Sequence, residues 1–380
     1  MVQAVFFKGN SSDFLEYLKN KNVECDKYFL DIIKDDDNIK LTVPNNPQNI
    51  EEKEIIKNLV VMSSDFSSVN NHVISNFYNM VIKRHNVRNI YIQNPPVRIE
   101  RSMLARIGKE NVRYEYSNYK KLSEFEVIQS YYKIQNSSNF VGQKKAKKRT
   151  FINLYKQALS KNKNPLVLIF YGVSGVGKTV FAKEIGKLYN SEVTRLQFSM
   201  MQTETAVNYL FGSDNTKPSL AVDLLNRKSN IILIDEFDKA NPIFYNAFYQ
   251  MFDEGYFEDT NYRVSLNNCI FILTSNFLDL DHIFKRIGEP LFSRLDDKIK
   301  FIELNRNEYK LFVENIFQDL LQELTSEQQK IIQNSNLKSC YLNANNRQTN
   351  NRMLKKIIEK DIYSLLFEKA IQNSISIDKN

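Results

Sequence analysis

The most constraining stretch of the sequence is an unbroken apolar run, Leu166–Tyr171, followed at once by Gly172-Val173-Ser174-Gly175-Val176-Gly177-Lys178-Thr179. The run suits a strand covered on both faces of a parallel sheet, and residues 180–190, beginning with Val180, carry helical spacing. Strand, glycine loop and helix in that order gather several backbone N–H groups around one point. Glycine allows the tight turn and the close approach, and the positive end of the helix adds to the field. A phosphate group fits such a loop, so residues 172–180 are the expected cradle. Lys178 is expected to reach the β- and γ-phosphates of a nucleoside triphosphate, and the Thr179 hydroxyl to ligate Mg2+.

A second strand must then bring carboxylates to the same edge. Ile231-Ile232-Leu233-Ile234-Asp235-Glu236 does so: four apolar residues bury the strand and deliver two acids at its carboxyl end, where parallel sheets bind ligands. Asp235 is the expected metal contact and Glu236 the expected base that orients or deprotonates an attacking water.

At 380 residues the chain is long enough for two or three folding units. The fold class expected is α/β, in three parts: a separate N-terminal α/β domain over 1–136, a nucleotide-binding core with a parallel sheet over 137–302, and a small helical C-terminal lid over 303–380. In the first part residues 2–7 and 89–93 read as strands, with helices expected at 11–19, 69–84 and 99–107, and a polar linker at 129–139. No catalytic constellation is legible there, and no internal repeat is legible along the chain. Asp35-Asp36-Asp37 reads as an acidic turn.

Three cysteines and three histidines, widely spaced, exclude a disulfide framework and a zinc site. The apolar runs fall far short of the roughly 20 residues that cross a bilayer, and no leader is legible, so a cytoplasmic protein without membrane contact is expected. The net charge of +8 allows a polyanion partner. Its densest tract, Lys144-Lys145-Ala146-Lys147-Lys148-Arg149, reads as a solvated helix face. Tyr114, Tyr116, Tyr119, Lys120 and Lys121 could stack on and neutralise nucleic acid, although an ordinary solvated surface is the simpler reading.

Over roughly residues 140–370 the sequence resembles the Clp-type unfoldases of the AAA+ ATPases. The segment Phe140-Val141-Gly142-Gln143 is similar to the family's motif ahead of the core, which implies that Val141 packs on adenine. Asp235-Glu236-Phe237-Asp238-Lys239-Ala240-Asn241-Pro242, continued by Gln250-Met251-Phe252-Asp253-Glu254-Gly255, is similar to the family signature around the second carboxylate motif. Thr274-Ser275-Asn276 resembles the first sensor, and implies that Asn276 binds the water or the γ-phosphate. Glu289-Pro290-Leu291-Phe292-Ser293-Arg294 resembles the arginine-finger segment, which implies that Arg294 acts on a neighbour's nucleotide. Asn350-Asn351-Arg352-Met353 resembles the start of the second-sensor helix, with Arg352 on the γ-phosphate and Arg347 as a rival.

The resemblance implies an ATP-hydrolysing enzyme that uses ATP and Mg2+, a homo-oligomeric ring, a hexamer by family expectation, and a protein substrate chosen by the N-terminal domain. The alternatives are a nucleic-acid-associated ATPase of plasmid, mobile-element or defence systems, and a nucleotide-switched scaffold. Two departures matter. Residues 210–219 lack the family's Gly-aromatic-Val-Gly pore pattern, with Phe211 placed in the core, and no protease-docking loop is legible, so no peptidase partner is expected.

Overall fold

The computed structural model describes residues 2–34, 55–137, 140–197, 203–212, 217–343 and 350–377. The acidic triplet at 35–37 and Arg347 lie outside them.

Among the described residues two five-stranded sheets organise the chain, and every strand pair in both is parallel. The N-terminal sheet holds β1 (Gln3–Lys8), β2 (Lys27–Tyr28), β3 (Ile55–Val61), β4 (Asn86–Gln93) and β5 (Val112–Tyr116) in the order β2-β3-β4-β1-β5. The second holds β6 (Leu166–Tyr171), β7 (Thr194–Leu196), β8 (Ile231–Ile234), β11 (Ile270–Ser275) and β12 (Asp297–Lys300) in the order β7-β8-β11-β6-β12. A two-stranded hairpin, β9 (Tyr256–Glu258) and β10 (Arg263–Ser265), lies apart from both.

Numbered by chain order, both five-stranded sheets read second, third, fourth, first, fifth. The chain therefore repeats one topology, which the residue pattern did not disclose. Asn94 follows β4 as Asn276 follows β11, and Gly9 follows β1 as Gly172 follows β6. In the N-terminal copy the Asn94 side chain closes on that glycine, accepting from the Gly9 N–H at 2.9 Å and donating to its carbonyl at 2.8 Å. No glycine loop or lysine follows β1.

Strand alternation gives the second sheet its two covered faces. Val167, Ile169, Ile232, Ile234, Phe271 and Leu273 join one core with the helix Tyr245–Asp253. Leu168, Phe170, Ile231, Leu233 and Ile272 join the other, with the helices Lys178–Leu188 and Lys144–Leu159. Helices on both faces of a parallel sheet make this a doubly wound α/β layer. C-terminal to it, the helices Arg306–Gln322, Ser326–Gln333, Leu337–Asn343 and Asn351–Ile377 form a lid with its own core. In the last of these Leu354, Ile358, Ile362 and Leu366 recur every fourth residue and are buried.

Several local expectations change. The linker expected at 129–139 is largely helix: Glu124–Gln135 is capped by Ser123, and its Val127 and Ile134 enter the core of the second sheet. The helix expected over 69–84 is broken into Asn71–Ser75 and a π-helical stretch, Tyr78–Lys83, which spaces the buried Phe77, Val81 and Ile82 onto the N-terminal core. The basic tract is only partly solvated. Lys147 is 2 % exposed and donates to the carbonyls of Ile134 (3.1 Å) and Phe140 (2.8 Å), while Arg149 pairs with Asp297. Phe211, expected in the core, is 50 % exposed: the helix Thr203–Phe211 turns Ala206, Tyr209 and Leu210 inward, and Phe211 stands one helical step beyond Leu210. Among the described residues no helix is long and apolar enough to cross a membrane.

Candidate functional site

β6 is buried along its whole length and hands the chain to the glycine loop. Gly172 takes φ +136°, and a Cβ there would stand 2.2 Å from the Phe301 carbonyl oxygen. Gly177, at φ +99°, caps the helix Lys178–Leu188, and its missing side chain makes room for the Phe140 ring edge. Both positions demand glycine, one for the strand beneath the loop and one for the aromatic beside it. Phe140 is fixed in turn by stacking on Phe181, with centroids 5.0 Å apart.

Lys178 is buried, and its ammonium donates to the carbonyls of Gly172 (2.6 Å) and Val173 (2.8 Å) and to Oδ1 of Asn276 (3.1 Å). Burial lowers its pKa to about 8, against which the charges of Asp238 and Asp235 act. The lysine thus curls around its own loop, and Asn276 reaches it from the neighbouring strand β11.

Asp235, at the end of β8, is 8 % exposed and fully engaged. Oδ1 accepts from the hydroxyls of Thr274 (2.5 Å) and Thr179 (3.1 Å), and Oδ2 accepts from the Arg195 guanidinium at 2.6 Å. Burial alone would raise its pKa, but these hydrogen bonds and the guanidinium charge outweigh burial and hold it below the ordinary value. Glu236 follows in left-handed backbone geometry, φ +53°, which is rare for a non-glycine residue. Its N–H donates to Oγ1 of Thr274 at 3.0 Å, and its carboxylate accepts from Lys239 at 2.9 Å.

These groups share one cleft of about 580 Å3 between the core and the lid. The lid contributes Arg352 from the first turn of Asn351–Ile377, with Lys355 and Lys356 behind it. Val141, Leu304 and Phe312 form an apolar end, and Val180 lines the cleft from the first turn of the loop's helix. Five cations face three carboxylates, a balance that suits a polyphosphate. Thr179 and Asp235 set hard oxygen donors side by side, as Mg2+ requires.

Arg294 stands apart. The helix Leu280–Phe292 is interrupted at Gly288, φ +77°, and just beyond its end Arg294 donates to Asp253 (2.6 Å) and to the Pro290 carbonyl (2.5 Å), with its guanidinium over the Tyr249 ring. It does not line the cleft of its own chain.

A family model described as AAA domain (Cdc48 subfamily) matches residues 163–330. Those residues carry an AAA domain, and the relatives it resembles are of the Clp type. The chain is 27 % identical over 240 residues to the chaperone protein ClpB of Mycoplasmoides gallisepticum, covering 56 % of this chain and 33 % of that protein. Over a shorter stretch of 129 residues it is 36 % identical to the ClpB of Chlamydia trachomatis, covering 31 % of this chain and 15 % of that one. The chain thus spans about a third of the length of the first of these relatives.

The fold agrees. A reconstruction of closed-state Hsp104 with ATPγS and FITC casein superposes with TM-score 0.54 at 15 % identity, covering 98 % of this chain and 89 % of that one. The S. cerevisiae Hsp104–ADP complex superposes with TM-score 0.51 at 22 % identity, over 73 % and 43 %.

Every expected cleft residue of the AAA+ domain reaches the cleft or the loop around it. Arg195, Thr274, Lys355 and Lys356 were not foreseen. The lysines follow Arg352 directly and were legible as a basic helix start. Arg195 sits on a three-residue edge strand that carries no pattern of its own.

Proposed function

We propose that the chain is a Mg-ATP-hydrolysing ring ATPase that remodels a protein partner. The convergence of Lys178, Thr179, Asp235, Glu236, Asn276 and Arg352 on one cleft between core and lid carries this reading. In it the loop amides of residues 172–180 hold the phosphates and the Lys178 ammonium leaves the carbonyls of Gly172 and Val173 for the β- and γ-oxygens. Val141, with Leu304 and Phe312, covers the adenine. Thr179 and Asp235 would hold Mg2+, whose charge, when bound, neutralises the phosphate oxygens.

Glu236 orients the attacking water and takes its proton, and Asn276 fixes that water or the γ-phosphate from the opposite side. Arg352 brings the lid onto the γ-phosphate. Arg294, turned away from its own cleft, reaches the nucleotide of the next copy, so hydrolysis takes place where two chains meet. A contact of that kind is heterologous and closes as a ring, by family likeness a hexamer. The N-terminal α/β domain selects the partner, and the protein acts in the cytoplasm without a peptidase. The nucleic-acid reading loses part of its support, because within the basic tract Lys147 is buried and the exposed Arg149 is already paired with Asp297.

Purified chain incubated with Mg-ATP tests the reading. Glu236→Gln is expected to retain ATP while turnover falls at least about 100-fold, and to co-purify the partner. Lys178→Ala is expected to lose both binding and turnover. Failure of the native chain to take up Mg-ATP at millimolar concentration would end the proposal.

A further inference from the structure

A second cavity, of about 490 Å3, lies in the seam between the N-terminal domain and the AAA+ core, beyond the carboxyl ends of β1 and β5. Its size falls within the range of small-molecule sites, and both a domain interface and a parallel-sheet edge are favoured places for them. The two units are joined around it. The Val97 N–H donates to the Asn261 carbonyl at 2.8 Å, and the Tyr119 hydroxyl to the Arg227 carbonyl at 3.1 Å.

Arg227 lines this cavity and is 8 % exposed. Its guanidinium donates to the carbonyls of Leu224 (2.7 Å) and Ser265 (2.8 Å) and to the Asn230 side chain (3.3 Å), and it stacks on the Tyr119 ring at 4.7 Å. All these partners are neutral, and among the described residues no carboxylate pairs with it. A buried cation satisfied in hydrogen bonds but not in charge attracts an anion to the space beside it. Lys121, exposed at the mouth, likewise forms no ion pair among the described residues. Glu100, one of two carboxylates on the wall, is already engaged by Lys8 at 2.7 Å and by the Tyr114 hydroxyl at 2.7 Å.

The cavity also offers a flat apolar surface. Tyr116 ends β5, lines the wall and is 61 % exposed, with no ring partner among the described residues. An exposed tyrosine face beside uncompensated cations is how proteins hold a base and its phosphate. Lys120 takes no part: it turns away to the Leu188 carbonyl (3.2 Å) and toward Glu126 (3.5 Å).

We propose that the seam cavity binds a nucleoside phosphate, its ring on Tyr116 and its phosphate toward Arg227 and Lys121. The ligand is either a free mononucleotide or the phosphorylated 5′ end of a single strand. A full-length chain carrying Lys178→Ala, which disables the nucleotide cleft, is titrated separately with the four nucleoside monophosphates and with a short 5′-phosphorylated oligothymidylate at low salt. Saturable binding is expected, weakened about tenfold by Tyr116→Ala or Lys121→Ala, the loss of one stack or one phosphate contact. Both positions are exposed, so an unchanged melting temperature shows that these variants stay folded. Binding of a mononucleotide assigns the free ligand, and binding of the oligonucleotide alone assigns the strand end. No binding of either probe, or binding that both substitutions leave intact, overturns the proposal.

Discussion

The Arg195 guanidinium lies 2.6 Å from the Asp235 carboxylate, so the acid that ends β8 has a cationic partner on the edge strand β7. Asp235 is nearly buried and Arg195 half exposed, which places the pair between the buried and surface regimes. Removing the cation strands a buried charge, so Arg195→Ala is expected to cost about 1–2 kcal/mol at neutral pH, measured by chemical denaturation. The folded-state pKa of Asp235 lies below its ordinary value of 3.8, so this contribution is present above that value and disappears as pH falls through the lower folded value. Equal stability of the two chains at neutral pH would show that the pair contributes nothing.

Lys178 titrates near 8 and has an ordinary value of 10.5. Contact with phosphate would return it toward that ordinary value, so binding above about pH 8 must bring in a proton, and ATP affinity should fall up to about tenfold per pH unit between roughly 8 and 10. The folding contribution has the opposite sign: the unfolded chain holds the proton more tightly, so the penalty this buried lysine places on the folded, ligand-free chain is full below about pH 8 and fades as pH rises through the same window. Calorimetric titration in two buffers of different ionisation heat measures the uptake. Identical apparent enthalpies in the two buffers at pH 9 would refute it.

What the sequence discloses here depends on how local each signal is. The glycine loop and the acids Asp235 and Glu236 are legible because strand, turn and helix follow one another within a few residues, and each residue type has one physical reason to be there. The helix Glu124–Gln135 is not. It buries Val127 and Ile134 while Phe125, Ile128 and Tyr132 stay exposed, so its apolar residues do not mark its inner face. Phe211 misleads for the same reason. The repeated strand order is invisible because topology lives in which strands pair, not in residue identity, and the clamp of Asn94 on Gly9 replaces the loop that would have announced the first copy. Arg195 is missed because three residues carry no period.

Lys147 separates structural from solvated charge within the basic tract. Its ammonium ties the carbonyl of Ile134, in the helix Glu124–Gln135, to that of Phe140, beside the glycine loop. Lys147→Ala would leave the buried Phe140 carbonyl without this donor and the Ile134 carbonyl with backbone donors at its helix end alone, and is expected to destabilise the chain by about 1–3 kcal/mol. Lys144→Ala and Lys148→Ala, both at exposed positions, should stay within about 0.5 kcal/mol of the native chain. Denaturant midpoints measure all three, and similar values for the three variants would contradict the structural role of Lys147.

Arg294 gives the proposed ring its most direct test, because it faces Asp253 and Tyr249 of its own chain and not its own cleft. If it serves the next copy, Arg294→Ala should lower turnover about 1,000-fold while leaving ATP affinity near native. Lys178→Ala should be inactive for the complementary reason. Mixing the two inactive variants then creates intact sites wherever an Arg294→Ala cleft meets the Arg294 of a Lys178→Ala neighbour, and turnover should rise above that of either preparation alone. The contact with Asp253 is structural as well, so a modest drop in the melting temperature of Arg294→Ala is expected and does not bear on the rescue. Two variants that assemble together yet stay silent on mixing would show that Arg294 acts within its own chain or only supports the fold, and the site would then be complete in a single copy.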